Sequence, residues 1–225
     1  MMRVVTTGGA ADATVARDPQ GPVRLLRAEH DCLLPILRRT PEEAFGRPTA
    51  CPGWSVRDVL AHCAAALTMT AAGRLHAFTP ELNEADVAER RAWPLPRVLS
   101  ELESGYLEAA PVIRDAGGSL DGIALGEWVH GGDVRAALGD PRAYASEGFA
   151  DACVLLAERT RREAVPLVEV SLPARTLRLG VPVPGRPPAT LVTGHAALIK
   201  IFAGRPADPG GYELTGASTA ELVVF

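Results

Sequence analysis

The chain has 225 residues, 47% hydrophobic and 22% charged, which supplies enough apolar material for a packed core and argues against global disorder. Its formal net charge of −4 and pI near 5.8 exclude the basic footprint that nucleic acid or an anionic membrane surface requires. No apolar run approaches the roughly 18 residues of a bilayer span and no continuous apolar leader opens the chain, so a cytoplasmic protein is expected.

Residues 1–20, with Gly8, Gly9 and an Ala/Asp/Thr mix, read as a flexible leader. From Pro22 to Arg39 the residues Val23, Leu25, Leu26, Leu33, Leu34, Ile36 and Leu37 recur at helical spacing. Pro41, Gly46 and Pro48 then impose a loop, and Pro52 and Gly53 turn the chain into a second helix. That helix is predicted from Val56 to about Phe78, with Ser55 as N-cap and Asp58 completing an S-x-x-D capping box. Residues 79–96 are acidic and bounded by prolines, a loop with room for a short helix. A third helix starts at Pro96 and ends near Gly117 and Gly118. A fourth begins around Leu120, carries LGEWVHGGDVR, and has a candidate bend at Gly131 and Gly132; Gly148 to Val165 forms one more. The character changes at Pro166. VEVSLPARTLRLGVPVP alternates apolar and polar residues and reads as a hairpin. PATLVTGHAALIKIFAGR reads as strand, turn and helix, GYELTG as a strand, and ASTAELVVF as a closing helix. The expected fold is mainly α: a helical bundle over residues 21–165 followed by a small α+β domain over 166–225.

Three side chains carry the chemical interest. His62 lies one turn after Asp58 on the second helix, while Glu127 and His130 stand i and i+3 on the fourth and project from one face. Helical bundles build metal sites from such groups on facing helices. Two histidines and one glutamate with an open fourth position is the pattern of a catalytic zinc. Plainer readings compete: His62 as a surface or packing histidine, and E-x-x-H as a solvated face or a local hydrogen bond. Trp128, Val129, Val134 and Leu138 mark the helix as partly buried, where unpartnered polar groups are costly.

His30 and His76 read as surface or packing residues, and His195 as a backbone cap for the C-terminal helix. Cys63 follows His62 but points about 100° away, toward the core. With Cys32, Cys51 and Cys153 it reads as a reduced thiol packed as a small hydrophobe, since no C-x-x-C pair occurs. Walker-type loops, dinucleotide fingerprints and serine elbows are absent.

PTACPGWSVRDVLAHCAAAL, with its Cys51-Pro52-Gly53-Trp54 turn, Val56-Arg57-Asp58 and His62, resembles the N-terminal signature of the mycothiol-dependent maleylpyruvate isomerase family, within the DinB-like superfamily. EWVHGGDVRAALG is similar to the family's acid, histidine and D-x-R tail, and VTGHAALIKIFAGRP…YELTG resembles its C-terminal domain. The resemblance spans nearly the whole chain after residue 20. It implies a DinB-like up-down four-helix bundle with a small α+β appendage, and a divalent metal, commonly zinc, held by two histidines and a carboxylate. His62 and His130 take the histidine positions. Many relatives keep the acid four residues before the second histidine, where this chain has Gly126. Glu127 or Asp133 is then the acid, or the site is degraded. The implied chemistry is a metal-bound thiolate, from mycothiol or a similar thiol, acting on a small electrophilic or unsaturated metabolite by cis–trans isomerisation or S-transfer. Arg74, Arg135 and Arg205 are candidates for an anionic substrate, with Arg205 alternatively tying the two domains together. A metal-dependent hydrolase of the same fold, and a non-catalytic binding or self-protection protein using the bundle pocket, stay open. The partners expected are a small-molecule substrate and a thiol, for a monomer or homodimer.

Overall fold

The computed structural model describes residues 17–75 and 77–225, so most of the expected leader, with Gly8 and Gly9, and His76 lie outside the described residues. The bundle consists of α1 (Gly21–Leu37), α2 (Val56–Ala71), α4 (Leu95–Asp115) and α5 (Asp121–Ala137). α3 (Pro80–Arg91) packs on α2, and α6 (Phe149–Arg162) joins α1 and α5 to a small sheet.

The predicted capping box opens α2. The Ser55 hydroxyl accepts from the Asp58 amide at 3.3 Å, and the Asp58 carboxylate accepts from the Ser55 amide at 3.0 Å. The helix stops at Ala71, short of Phe78, because Gly73 adopts a left-handed φ of 64° that ends helical hydrogen bonding. Residues 79–96 are mostly helix and not loop. Thr79 caps α3 by accepting from the Leu82 amide, and Pro80 occupies its first position. α2 and α4 approach closely at Gly105, where a Cβ would lie 2.7 Å from that of Leu67.

α5 runs unbroken through Gly131 and Gly132, contrary to the expected bend. These glycines make room. A Cβ on Gly131 would lie 1.8 Å from the Glu29 carboxylate, and one on Gly132 would lie 2.5 Å from the Tyr144 ring. Glu29 forms a buried ion pair with Arg135, whose guanidinium also donates to the Ala143 carbonyl and the Ser146 hydroxyl.

The strands β1 (Val168–Leu172), β2 (Arg175–Leu179), β3 (Ala189–Thr193) and β4 (Tyr212–Thr215) lie in the order β2-β1-β3-β4. β1 and β3 are parallel and the outer pairs antiparallel. Val168, Val170, Leu172, Ala189 and Leu191 face inward; Glu169, Ser171, Thr190 and Val192 face outward. The helix α7 (His195–Phe202) follows β3. His195 is its first residue and not its cap, which is Gly194; the imidazole stacks instead on Phe149 at 4.2 Å. The expected closing helix is a single 3₁₀ turn, Thr219–Leu222, because the Val224 amide is drawn off to the Phe202 carbonyl. One apolar core runs from Leu25 and Leu26 of α1 to Phe202 and Leu222 beside the sheet. Among the described residues, no helix is long and apolar enough to cross a membrane.

Candidate active site

The turn before α2 builds one wall of the site. Gly53 takes a φ of 78°, the Trp54 amide donates to the Cys51 carbonyl at 3.1 Å, and the Thr49 amide donates to the Trp54 carbonyl at 3.0 Å. This buries Cys51 and lays the Trp54 indole 5.0 Å from the imidazole of His62, on the second turn of α2. α5 supplies the facing wall. The rings of His62 and His130 approach to 5.2 Å, nearly perpendicular, and Phe78 edges against His62 at 6.1 Å. His62, Glu127 and His130 all line one cavity of about 800 Å³.

Glu127 is 3% exposed and its Oε2 has no hydrogen-bond partner among the described residues. Burial drives its pKa well above the glutamate range; a hydrogen bond from the Cys63 thiol opposes that, and the charge of Glu29 reinforces it. Arg135 neutralises Glu29, but no described arginine or lysine pairs with Glu127. A buried carboxylate that lines the same cavity as two imidazoles, with one oxygen unmet, is a candidate ligand for a divalent cation.

Asp133 is differently placed. It is wholly buried, and accepts from the Tyr144 hydroxyl at 2.7 Å, the Cys51 thiol at 3.1 Å, and Nη2 and Nε of Arg205 at 3.1 and 3.2 Å. Nδ1 of His130 lies 3.3 Å from its Oδ2. Burial opposes its charge, yet His130, Arg205 and Tyr144 together hold it well below the ordinary aspartate range. Cys51, His130 and Asp133 are grouped closely enough to hold a metal ion. A cation there competes with the Arg205 guanidinium for the same carboxylate and with a Cys51 thiol that burial and Asp133 push up to about 12. Among the described residues, His62, Glu127 and His130 do not group as closely as Cys51, His130 and Asp133, yet Glu127 carries the unmet oxygen. Asp133 holds Nδ1 of His130, which leaves Nε2 on the opposite side of the ring.

The sequence profile of the mycothiol maleylpyruvate isomerase N-terminal domain matches residues 26–147, more than half of the chain. The chain belongs to the mycothiol maleylpyruvate isomerase family. A crystal structure of the mycothiol-dependent maleylpyruvate isomerase is similar in fold, with a TM-score of 0.63 and 15% identity, over 90% of this chain and 95% of that one. A histidine-to-alanine mutant of that enzyme gives a TM-score of 0.56 at 14% identity over the same shares. No curated protein matches the chain.

Within this member of the family the candidate arginines are scattered. Arg205 lines the cavity and is bound to Asp133. Arg135 is buried in its pair with Glu29, behind α5, and Arg74 is exposed; neither lines the cavity, so neither is positioned to meet a substrate there. His30 packs edge-on against Tyr106 and bonds Asp31, consistent with a packing residue. Cys51 and Cys63 are buried thiols but not inert filler, since each donates to an acid, Asp133 and Glu127. Sequence reasoning missed Cys51, Trp54, Phe78, Arg159 and Arg162 as cavity residues.

Proposed function

We propose that the protein is a mycothiol-dependent enzyme that acts on a small unsaturated or electrophilic metabolite, as a cis–trans isomerase or a thiol S-transferase. The observation that carries this reading is the uncompensated Glu127 carboxylate in the cavity shared with His62 and His130. These three residues would hold a divalent cation, zinc by the chemistry of the donor set. When bound, the cation supplies the positive charge that converts a thiol to its nucleophilic thiolate at neutral pH. The thiol supplies a nucleophile whose addition makes a double bond single and free to rotate; its departure gives isomerisation and its retention gives S-transfer.

The chain's own residues prepare the site. Asp133 fixes the ring of His130, and Arg205, Tyr144 and Cys51 fix Asp133. The Cys63 thiol takes one side of the Glu127 carboxylate. Burial and the charge of Asp133 push the Cys51 thiol up to about 12, which favours its protonated form in the metal-free protein. Trp54 and Phe78 flank His62 with apolar ring surface.

Metal analysis of the purified protein beside His62→Ala, His130→Ala and Glu127→Ala tests the reading. One equivalent of divalent metal is expected in the wild type, with loss in each variant. Incubation with mycothiol and an activated alkene is expected to give an isomerised product or a conjugate of matching mass. Wild-type protein without stoichiometric metal, or full metal retention in Glu127→Ala, defeats the assignment.

A further inference from the structure

Arg159 and Arg162 stand i and i+3 in the last turn of α6, a position where basic side chains commonly complement the helix carbonyls. Here both line the cavity. Arg159 is wedged against α5: a Cβ on Gly122 would lie 2.9 Å from its Nη1. Its Nε donates to the Val224 carbonyl, and its guanidinium lies 4.7 Å from the centre of the Phe225 ring. Arg162 donates to the Gly118 carbonyl at 3.3 Å. Among the described residues neither forms an ion pair, whereas Arg161 between them pairs with Glu158. Burial lowers the pKa of Arg159; Glu163 opposes this, and the charge of Arg162 adds to it. The wall thus carries two guanidinium groups that form no ion pair with a described acid, Glu163 acting on Arg159 only from a distance.

We propose that Arg159 and Arg162 form a carboxylate subsite at one end of the cavity, holding an anionic group of the substrate away from the reacting centre. Gly122 marks its position on α5, and Glu127 and His130 follow five and eight residues later. At 1.5 Å per residue they lie roughly 7 to 12 Å further along the helix axis. That span separates the carboxylate of a short carbon skeleton from an atom reacting near His62, Glu127 and His130. Each guanidinium already gives an N–H to a backbone carbonyl. The remaining donors suit a two-oxygen monoanion better than a phosphoryl dianion. The reacting end rests on the proposed function; the anion subsite does not.

The test therefore needs neither thiol nor turnover. Succinate, a dicarboxylate that cannot isomerise or add a thiol, is titrated calorimetrically into the purified protein, with inorganic phosphate as a parallel probe. Saturable succinate binding is expected, weakened about tenfold or more in Arg159→Gln and in Arg162→Gln, the loss of a charge-assisted contact. Arg161→Gln is expected to change it less than twofold. Arg162 is exposed, so its variant reports binding even if Arg159→Gln folds poorly, and thermal unfolding of each variant checks this. No saturable succinate binding, unchanged affinity in Arg162→Gln, or tighter binding of phosphate overturns the proposal. Metal content in the same preparations reads the thiol-enzyme hypothesis separately. Anion binding without metal sinks that hypothesis and leaves this one standing.

Discussion

Replacing Asp133 by asparagine probes whether this acid is a structural hub or a metal donor. The substitution keeps the shape and removes the charge that meets Tyr144, Cys51, Arg205 and His130. The new amide turns at least one N–H toward groups that are themselves donors. Arg205, whose side chain is 13% exposed, then loses its counter-ion in a largely dry setting. Breaking one partner of a buried pair costs about 3–5 kcal/mol. For a chain of this size each kcal/mol moves the midpoint by about 2–4 °C, giving a drop of about 6–20 °C. Thermal unfolding by circular dichroism, on chelator-treated protein, measures it. The double variant Asp133→Asn with Arg205→Met is expected to recover part of the loss, a coupling of about 0.5–3 kcal/mol for groups in direct contact. Metal is expected to stay stoichiometric in Asp133→Asn but to bind about 10–100-fold more weakly, the effect of removing the group that orients a ligating histidine. A midpoint within 2 °C of wild type refutes the hub, and complete metal loss in Asp133→Asn with retention in Glu127→Ala shows Asp133 to be the donor.

Further outcomes follow from Glu127 and from two glycines. In metal-free protein the raised pKa of Glu127 means that the stability of its buried protonated form is full below about pH 4.3 and declines as pH rises toward the folded value. Glu127→Gln is expected to remove this slope, read by urea unfolding between pH 4.5 and 8; an identical slope in both proteins contradicts the burial argument. Gly131→Ala drives a methyl group into the Glu29 carboxylate and is expected to cost at least roughly 1–3 kcal/mol, through overpacking against an ion pair that cannot yield. Gly126→Ala, on the same helix with nothing within 4 Å of its Cβ, is expected to stabilise by roughly 0.5–1 kcal/mol. Chemical denaturation of the pair checks the contrast, and equal effects count against the space argument.

Features whose causes are local in sequence were readable before the fold was known. Ser55 and Asp58 announce the start of α2 because each satisfies the other's backbone within one turn. Glu127 and His130 share a face by helical spacing alone, and with His62 they line one cavity. α3 was missed as a full helix because only Val87 and Arg90 are buried along it, too few for a periodic apolar signal. The hub at Asp133 was invisible for another reason: Cys51 and Arg205 lie 82 and 72 positions away, and no spacing rule links them. The same holds for Cys63, whose hydrogen bond to Glu127 depends on how α2 meets α5. Arg159 and Arg162 carry a helix-terminal pattern that dipole complementation alone explains, so nothing local separates them from Arg161.

The cavity is assembled from two stretches of chain. Cys51, Trp54, His62, Glu127 and His130 fall within residues 26–147, the part that the family profile recognises, whereas Arg159, Arg162, Arg205 and Phe225 fall after it. The two stretches are coupled, because Arg205 of the second holds Asp133 of the first, and Asp133 holds His130. A transplant of residues 148–225 between members of the family would therefore have to bring with it a partner for the buried Asp133 carboxylate.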